Sequence, residues 1–547
     1  MQKVCAQNSE HKFEVTEEDL KFYEKMGVPV PTLCPRCRMQ RRMVFRNERK
    51  LYHRKCDLTG KQMISMYMTE SPYKIYHQSE WWSDKWDARD YGKDFDFSRP
   101  FFEQFAELAR EVPRFSFYNK DSENSEYCNY ATHVRNCYLV FGSSTAEDCF
   151  YSQTLVDKNS SVMDSFLCFS NELCYENNHT QNNYNSAYLL VSSSCLDSVF
   201  LYDCRRCKNC VFCHNLRGKE NYLFNQPATP AEIAKVKNDL KSYEILAQAK
   251  ERFYEMILRE AMHKYLEGDK NENVSGQIIH NSKNVHQSYM IFDAEDIRYS
   301  FRVGRQKDSV DAEGCMEGEL LYECMSTDSS YNCLFCMTCE YLSESFYADI
   351  CYNSKNLFGC IGIKKGEYCI LNKQYTKEEY EELVPKIIEH MKKTGEWGEF
   401  FPKELSPHAY NESVAQDYFP LKKTEALRLG FTWQEEDNTN RYEGPKIEIA
   451  DQIEDVPDEI TKKILTCESC GKNYKIIPQE LNFYRKQGVP VPHKCFNCRH
   501  AERLSWHNFH TLYESHCTKC GKAFQTVYDP KKYKNVYCEK CYLESLD

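Results

Sequence analysis

The chain has 547 residues, 14% of them aromatic, with 30 cysteines, a formal net charge of -11 and a mean hydropathy of -0.71. A chain this acidic is not drawn wholesale to nucleic acid or to an anionic membrane, so any such binding must come from a local patch. It holds no run of 18 apolar residues, and its polar start, MQKVCAQNSEHKFEV, lacks an apolar export core, so a cytoplasmic protein is expected.

In a reducing compartment cysteines bind metal, react, or pack as small apolar groups, and the thirty must be sorted among these fates. Residues 1–95 begin the sorting. Cys5, His11 and the pair Cys34-x2-Cys37 supply four candidate zinc ligands. The stretch 36–55, RCRMQRRMVFRNERKLYHRK, holds nine Arg or Lys and one Glu. A helix starting at the second cysteine pair sets Arg38, Arg41, Arg42, Arg46 and Arg49 largely on one side, a pattern suited to phosphate because guanidinium groups make paired bonds to its oxygens. The same face could instead neutralise acidic surface on this chain. Further on, Cys56, His77 and Glu80 make only a poor three-ligand set, and Trp81-Trp82 is expected to pack where an ion would sit.

Residues 99–112, RPFFEQFAELAREV, predict a helix leading into the first of two repetitive segments, 96–226 and 271–372. In the first, Asn136-Cys-Tyr-Leu, Asp148-Cys-Phe-Tyr, Asp197-Ser-Val-Phe and Asn209-Cys-Val-Phe recur mostly in steps of 12; in the second, Asp296-Ile-Arg-Tyr, Asn332-Cys-Leu-Phe and Asn356-Leu-Phe-Gly do the same. Short runs of β-branched, aromatic and small residues after a polar turn residue predict a mainly β fold, a parallel β-helix (β-solenoid) in two halves, with a sandwich or propeller as the alternative. Cysteine exchanges with serine and alanine at matched positions, as a small buried residue does. The rival reading is Cys204, Cys207, Cys210 and Cys213, whose step of three resembles an iron–sulfur run without its proline.

The two segments end alike, GKENYLFNQPATPAEI and KGEYCILNKQYTKEEY, each opening a helix at Thr229 or Thr376. An amphipathic helix is expected over about 230–267 within 227–270, and a second over 376–394 within 373–436; both would cover solenoid edges. The acidic stretch 437–463 reads as a linker.

Residues 464–547 carry four pairs: Cys467-x2-Cys470, Cys495-x2-Cys498, Cys517-x2-Cys520 and Cys538-x2-Cys541. Eight thiolates so spaced predict two tetrahedral zinc sites, with Gly471 and Gly521 easing the turns. Sequential sharing of pairs is the simplest assignment, and a crossed one fits the spacing too. Shifted by 461, the N-terminal segment aligns without a gap: Phe22-Tyr23 on Phe483-Tyr484, Cys34 and Cys37 on Cys495 and Cys498, Cys56 on Cys517. Pro478 and Gly488 bracket a helix between the first two pairs. With its knuckle, Phe-Tyr helix, Gly, Pro and C-x2-C-Arg, the stretch 467–499 resembles bacterial zinc-ribbon domains of treble-clef type, and 13–38 resembles them except at the first knuckle. The whole arrangement is similar to a large family of bacterial zinc-ribbon proteins; the resemblance implies zinc but no activity.

Three functions are open to this sequence. The first is a zinc-binding repeat scaffold, without catalysis, that engages a protein or nucleic-acid partner. The second is RNA or DNA binding through the basic N-terminal module. The third is a β-helix carbohydrate-active enzyme using Asp293, Glu295, Asp296, Asp308, Asp311 and Glu313.

Overall fold

The computed structural model describes residues 1–435, 444 and 446–546; residues 437–443 and 445 of the expected linker lie outside them. The chain forms two compact units, each assembled from separated stretches. One comprises Met1–Phe117, Leu266–Gln434 and Phe509–Leu512, the other Tyr118–Tyr265, Glu435–Asn508 and Tyr513–Asp547. The N-terminal module therefore shares a unit with the second repeat, and most of the C-terminal module with the first.

The fold is mainly β, with parallel repeats and twelve α-helices among the described residues. In both units the strands pair in parallel, usually with the residue 12 positions on, as in Val199↔Val211 and Val285↔Ile297. One step departs from this spacing: Gln153 pairs with Phe166, 13 positions on. One pairing path in the first repeat closes into a ring of seven parallel strands: Phe141–Glu147, Gln153–Val156, Phe166–Phe169, Asn178–Gln181, Tyr184–Leu190, Glu172–Tyr175, Asn159–Met163, and back to the first.

A backbone rule underlies the 12-residue step. Every third residue over long stretches has positive φ, for example Asp197, Phe200, Asp203, Arg206, Asn209 and Phe212, at 48–56°. Left-handed conformations cost most residues on the order of 1–2 kcal/mol, and two side-chain ladders offset that cost here. Asn and Asp stack through their amides, Asn124 to Asn136 (3.1 Å) and Asn136 to Asp148 (3.2 Å). Aromatic rings stack at other corners: Tyr188 on Phe200 at 4.6 Å, Phe200 on Phe212 at 4.8 Å and Phe212 on Phe224 at 5.0 Å.

The residue after a corner is buried at most positions, and this position explains the central cysteines. Those from Cys137 to Cys369 all follow a positive-φ residue and are at most 3% exposed. Ser186 Oγ donates to the Tyr184 carbonyl (2.9 Å) and accepts from the Ser198 amide (3.1 Å). Cys339 Sγ repeats the pattern, donating to the Met337 carbonyl (3.1 Å) and accepting from the Cys351 amide (3.4 Å). Serine and cysteine interchange because either one bridges successive turns of the ladder.

Each repeat ends in a short antiparallel pairing, Tyr222–Leu223 with Gln226–Pro227 and Glu367–Ile370 with Lys373–Gln374, followed by a capped helix. The first expected helix is in fact two, Pro230–Asp239 and Tyr243–Arg259, because the Ser242 hydroxyl accepts the Ile245 amide and starts a new N-terminus. Phe253 and Ile257 of the second pack into the same core as Phe200 and Phe212. The helices Phe101–Glu111 and Lys377–Thr394 form where expected, the latter with its Thr376–Glu379 capping box. Ile453, Val456 and Ile460 of the acidic stretch are buried, so at those residues it is packed rather than free.

Candidate metal centres

Both modules build their cages from the same elements. In the C-terminal one, the hairpin Leu465–Thr466/Asn473–Tyr474 carries Cys467 and Cys470, and the helix Pro478–Gln487 ends at Gly488 (φ 65°). A second helix, Phe496–Leu504, then starts directly after Cys495. In the N-terminal one, Gln2–Val4 pairs with Lys12–Glu14, and the helices are Glu17–Lys25 and Pro35–Met43, the latter starting after Cys34.

Among the described residues, three groups of side chains bring four ligand atoms within 4.8 Å of one another: Cys467, Cys470, Cys495 and Cys498; Cys517, Cys520, Cys538 and Cys541; and Cys5, His11, Cys34 and Cys37. The cysteine pairs are thus shared sequentially, not crossed. Four sulfurs ~2.3 Å from one tetrahedral ion stand about 3.8 Å apart. The Cys470–Cys495 and Cys520–Cys538 sulfurs are 3.8 and 3.7 Å apart, so the donor sets fit a zinc-sized, thiophilic ion. The knuckles turn as their glycines predict: Gly471 (φ 69°) and Gly521 (φ 74°) return their amides to the carbonyls of Cys467 and Cys517, both at 2.9 Å.

In the N-terminal cage His11 Nδ1 faces Cys37 Sγ at 3.4 Å and Cys34 Sγ at 3.7 Å. Its other ring nitrogen, Nε2, is 3.2 Å from the Asn8 amide, the kind of outer partner that fixes a ligating imidazole. Hydrogen bonding from Cys37, opposed by burial, pulls the Cys34 thiol down to about 5. Burial raises Cys467 and Cys517, but backbone amides of the facing knuckles, from Cys495 and Cys538, bring them down to about 7 and about 6. These amides favour thiolate, the form a metal takes.

The other candidates fall elsewhere. Cys56 is buried and keeps its knuckle, with Gly60 donating to its carbonyl (2.8 Å), but Cys56, His77 and Glu80 form no ligand group among the described residues. His77 instead contacts Ser79, and Glu80 pairs with Lys85. Trp81 is fully buried, edge-on to Phe115, while Trp82 is 41% exposed. Cys204, Cys207, Cys210 and Cys213 follow successive corners, are buried, and donate to the carbonyls two residues back; they too form no such group.

Of the two readings of the basic face, Arg38, Arg41 and Arg42 follow the one in which it neutralises acidic groups of this chain. Arg38, Arg41 and Arg42 are buried, at 1%, 7% and 0% exposure. Arg38 Nε donates to Asp311 (2.8 Å), Arg42 to Asp311 (3.0 Å) and Glu323 (3.2 Å), and Arg41 to Glu323 (2.7 Å) and Glu399 (3.1 Å). Arg46 pairs with Glu48 and bonds Ser326, and Arg49 is half-buried. The face turns inward because desolvated guanidinium groups need desolvated carboxylates, and the second repeat supplies them.

The acids proposed for sugar chemistry are engaged as well. Asp311 and Glu313 both pair with Arg42, Asp308 with Lys25, and Glu295 with Lys307. Asp293 and Asp296 accept from the amides of Asn281 and Asn284.

The residues missed in the sequence are Arg499, Arg503 and Asp164. Arg499 Nε donates to Asp164 (3.0 Å) and Arg503 pairs with it (3.2 Å), all three being buried. A signal was present: Arg38 and Arg42 align with Arg499 and Arg503 under the 461 shift, and Asp164 and Asp311 both sit at a positive-φ corner.

Among the described residues, no helix is long and apolar enough to cross a membrane. No family model matches the chain, and neither does any curated protein.

Proposed function

We propose that this protein is a zinc-binding repeat scaffold that mediates macromolecular interaction without catalysing a reaction. Its two repeats are β-solenoids with one 12-residue coil per turn, each sharing a unit with a treble-clef module, and the C-terminal module adds a zinc ribbon. The observation that carries the reading is the set of three four-ligand cages, two of them with sulfur spacings that suit one tetrahedral ion. Such a cage has all four positions filled by protein, which suits a structural ion rather than a catalytic one. The repeats offer long, ordered polar faces on which a partner protein can dock. While the N-terminal module is docked, Arg38, Arg41 and Arg42 are out of reach of a nucleic-acid phosphate, so the scaffold reading is preferred.

Metal analysis of the purified chain tests this. Three zinc ions per chain are expected, falling by one in Cys467→Ser and staying at three in Cys204→Ser. Iron, or zinc lost on replacing Cys204, would sink the assignment.

A further inference from the structure

The metal cages are braced by the repeats. Arg499 directly follows Cys498, the last cysteine of the second knuckle. Its Nη1 donates to the carbonyl of Lys494 (2.8 Å), the residue before Cys495, while its Nε reaches Asp164 in the first repeat (3.0 Å). One side chain thus ties the two flanks of Cys495-x2-Cys498 together and anchors them to a buried carboxylate. Arg38 does the same in the other unit. It follows Cys37, donates to the carbonyl of Leu33 (2.7 Å) just before Cys34, and reaches Asp311 (2.8 Å). The same brace thus occurs twice in one chain.

From this we propose that Asp164 and Asp311 are positioning residues of the metal sites: each solenoid supplies the outer anchor of one cage, so metal affinity and docking of the module on its repeat are coupled. The inference rests on the zinc reading of the cages. A metal bound to the knuckle fixes the start of the helix that carries the arginines. A docked arginine in turn holds the knuckle closed before the metal arrives. Coupling of this kind is reciprocal by thermodynamic necessity.

The braces differ in strength. In the first unit Glu323 takes Arg41 and Arg42 in addition, and Glu399 takes Arg41. In the second, position 502 is glutamate, and Glu176 is held by Lys250 at 2.8 Å, so Arg499 and Arg503 share Asp164, with Glu480 adding a longer pair to Arg499 (3.5 Å). The C-terminal module is therefore the one that metal loss releases first.

The test uses the full chain loaded with zinc and challenged with rising chelator, reading thiol alkylation peptide by peptide. Loss of an outer partner typically costs about 10- to 100-fold in metal affinity. Asp164→Asn should expose Cys467, Cys470, Cys495 and Cys498 at roughly that much less chelator, leaving the Cys5 cage unchanged, and Asp311→Asn should do the converse. Equal chelator midpoints for wild type and Asp164→Asn would overturn the proposal. Hydrogen exchange on the wild type covers the case in which a variant misfolds. Stripping the metal should reduce protection of residues 160–176 before that of 305–325; unchanged protection at 160–176 overturns the coupling. Absence of zinc from the untreated chain would instead refute the reading beneath it.

Discussion

Arg499 and Asp164 lie 335 positions apart in the chain, yet the guanidinium Nε stands 3.0 Å from the carboxylate with both groups buried. Arg38 and Asp311 reproduce the relationship across 273 positions at 2.8 Å. Buried pairs of this kind contribute little net stability when intact, but breaking one strands a charge away from water.

Asp311→Ala should therefore destabilise its unit by about 3–5 kcal/mol, since Arg38 loses its hydrogen-bonded carboxylate while Arg42 keeps Glu323. Asp308→Ala removes a solvent-exposed pair with Lys25 and should cost no more than about 1 kcal/mol. Urea unfolding of the two variants compares them directly.

Cysteines at the repeat corners should tolerate serine and resist valine. Cys339→Ser keeps an acceptor for the Cys351 amide, and a change within about 1 kcal/mol is expected. Cys339→Val leaves that buried amide unpaired and should cost about 1–3 kcal/mol. Thermal melting of the two variants separates a hydrogen-bonding role from simple packing.

Glycines in the chain differ sharply in what they tolerate. A Cβ on Gly276 (φ 140°) would lie 1.7 Å from the Ser288 carbonyl oxygen, inside the neighbouring strand. Gly276→Ala should thus fail to give a folded second repeat. Gly521 (φ 74°) has nothing within 4 Å of its missing Cβ, so Gly521→Ala meets only backbone strain of about 1 kcal/mol. Circular dichroism of both variants reads the contrast.

Glu313 sets a pH dependence. Burial, opposed by Arg42, Arg46 and Arg302, pushes its carboxyl from 4.5 up to about 7. The folded state then holds a proton that the unfolded state releases, so this contribution is complete below about pH 4.5 and is lost as pH rises through 7. Glu313→Gln should match wild type near pH 4 and exceed it at pH 8 by on the order of 1–3 kcal/mol. Urea midpoints at the two pH values check the sign.

Much of the local structure was legible. The 12-residue period, the Asx and aromatic corners, the capped helices and the C-x2-C knuckles depend on residues close in sequence or on a fixed repeat, and a single chain displays both. Ser242 is an instructive failure: its apolar surroundings read as continuous helix, but a serine able to cap its own third following amide ends one helix and begins another. The arginines of 36–49 stayed open between two readings for a different reason. A basic helix face carries the same letters whether it meets water, phosphate or buried carboxylates.

The sequence by itself named the ligands of the cages, because C-x2-C pairs place two thiols on one short local turn, and it marked the repeat, because its polar and small residues recur mostly every 12 positions. Only the tertiary structure decided which module shares a unit with which repeat, and with it the fate of the arginines. That choice rests on charge burial: a guanidinium can leave water only where a matching carboxylate already waits. Arg38 finds Asp311 in the second repeat and Arg499 finds Asp164 in the first, partners that no sequence spacing announces.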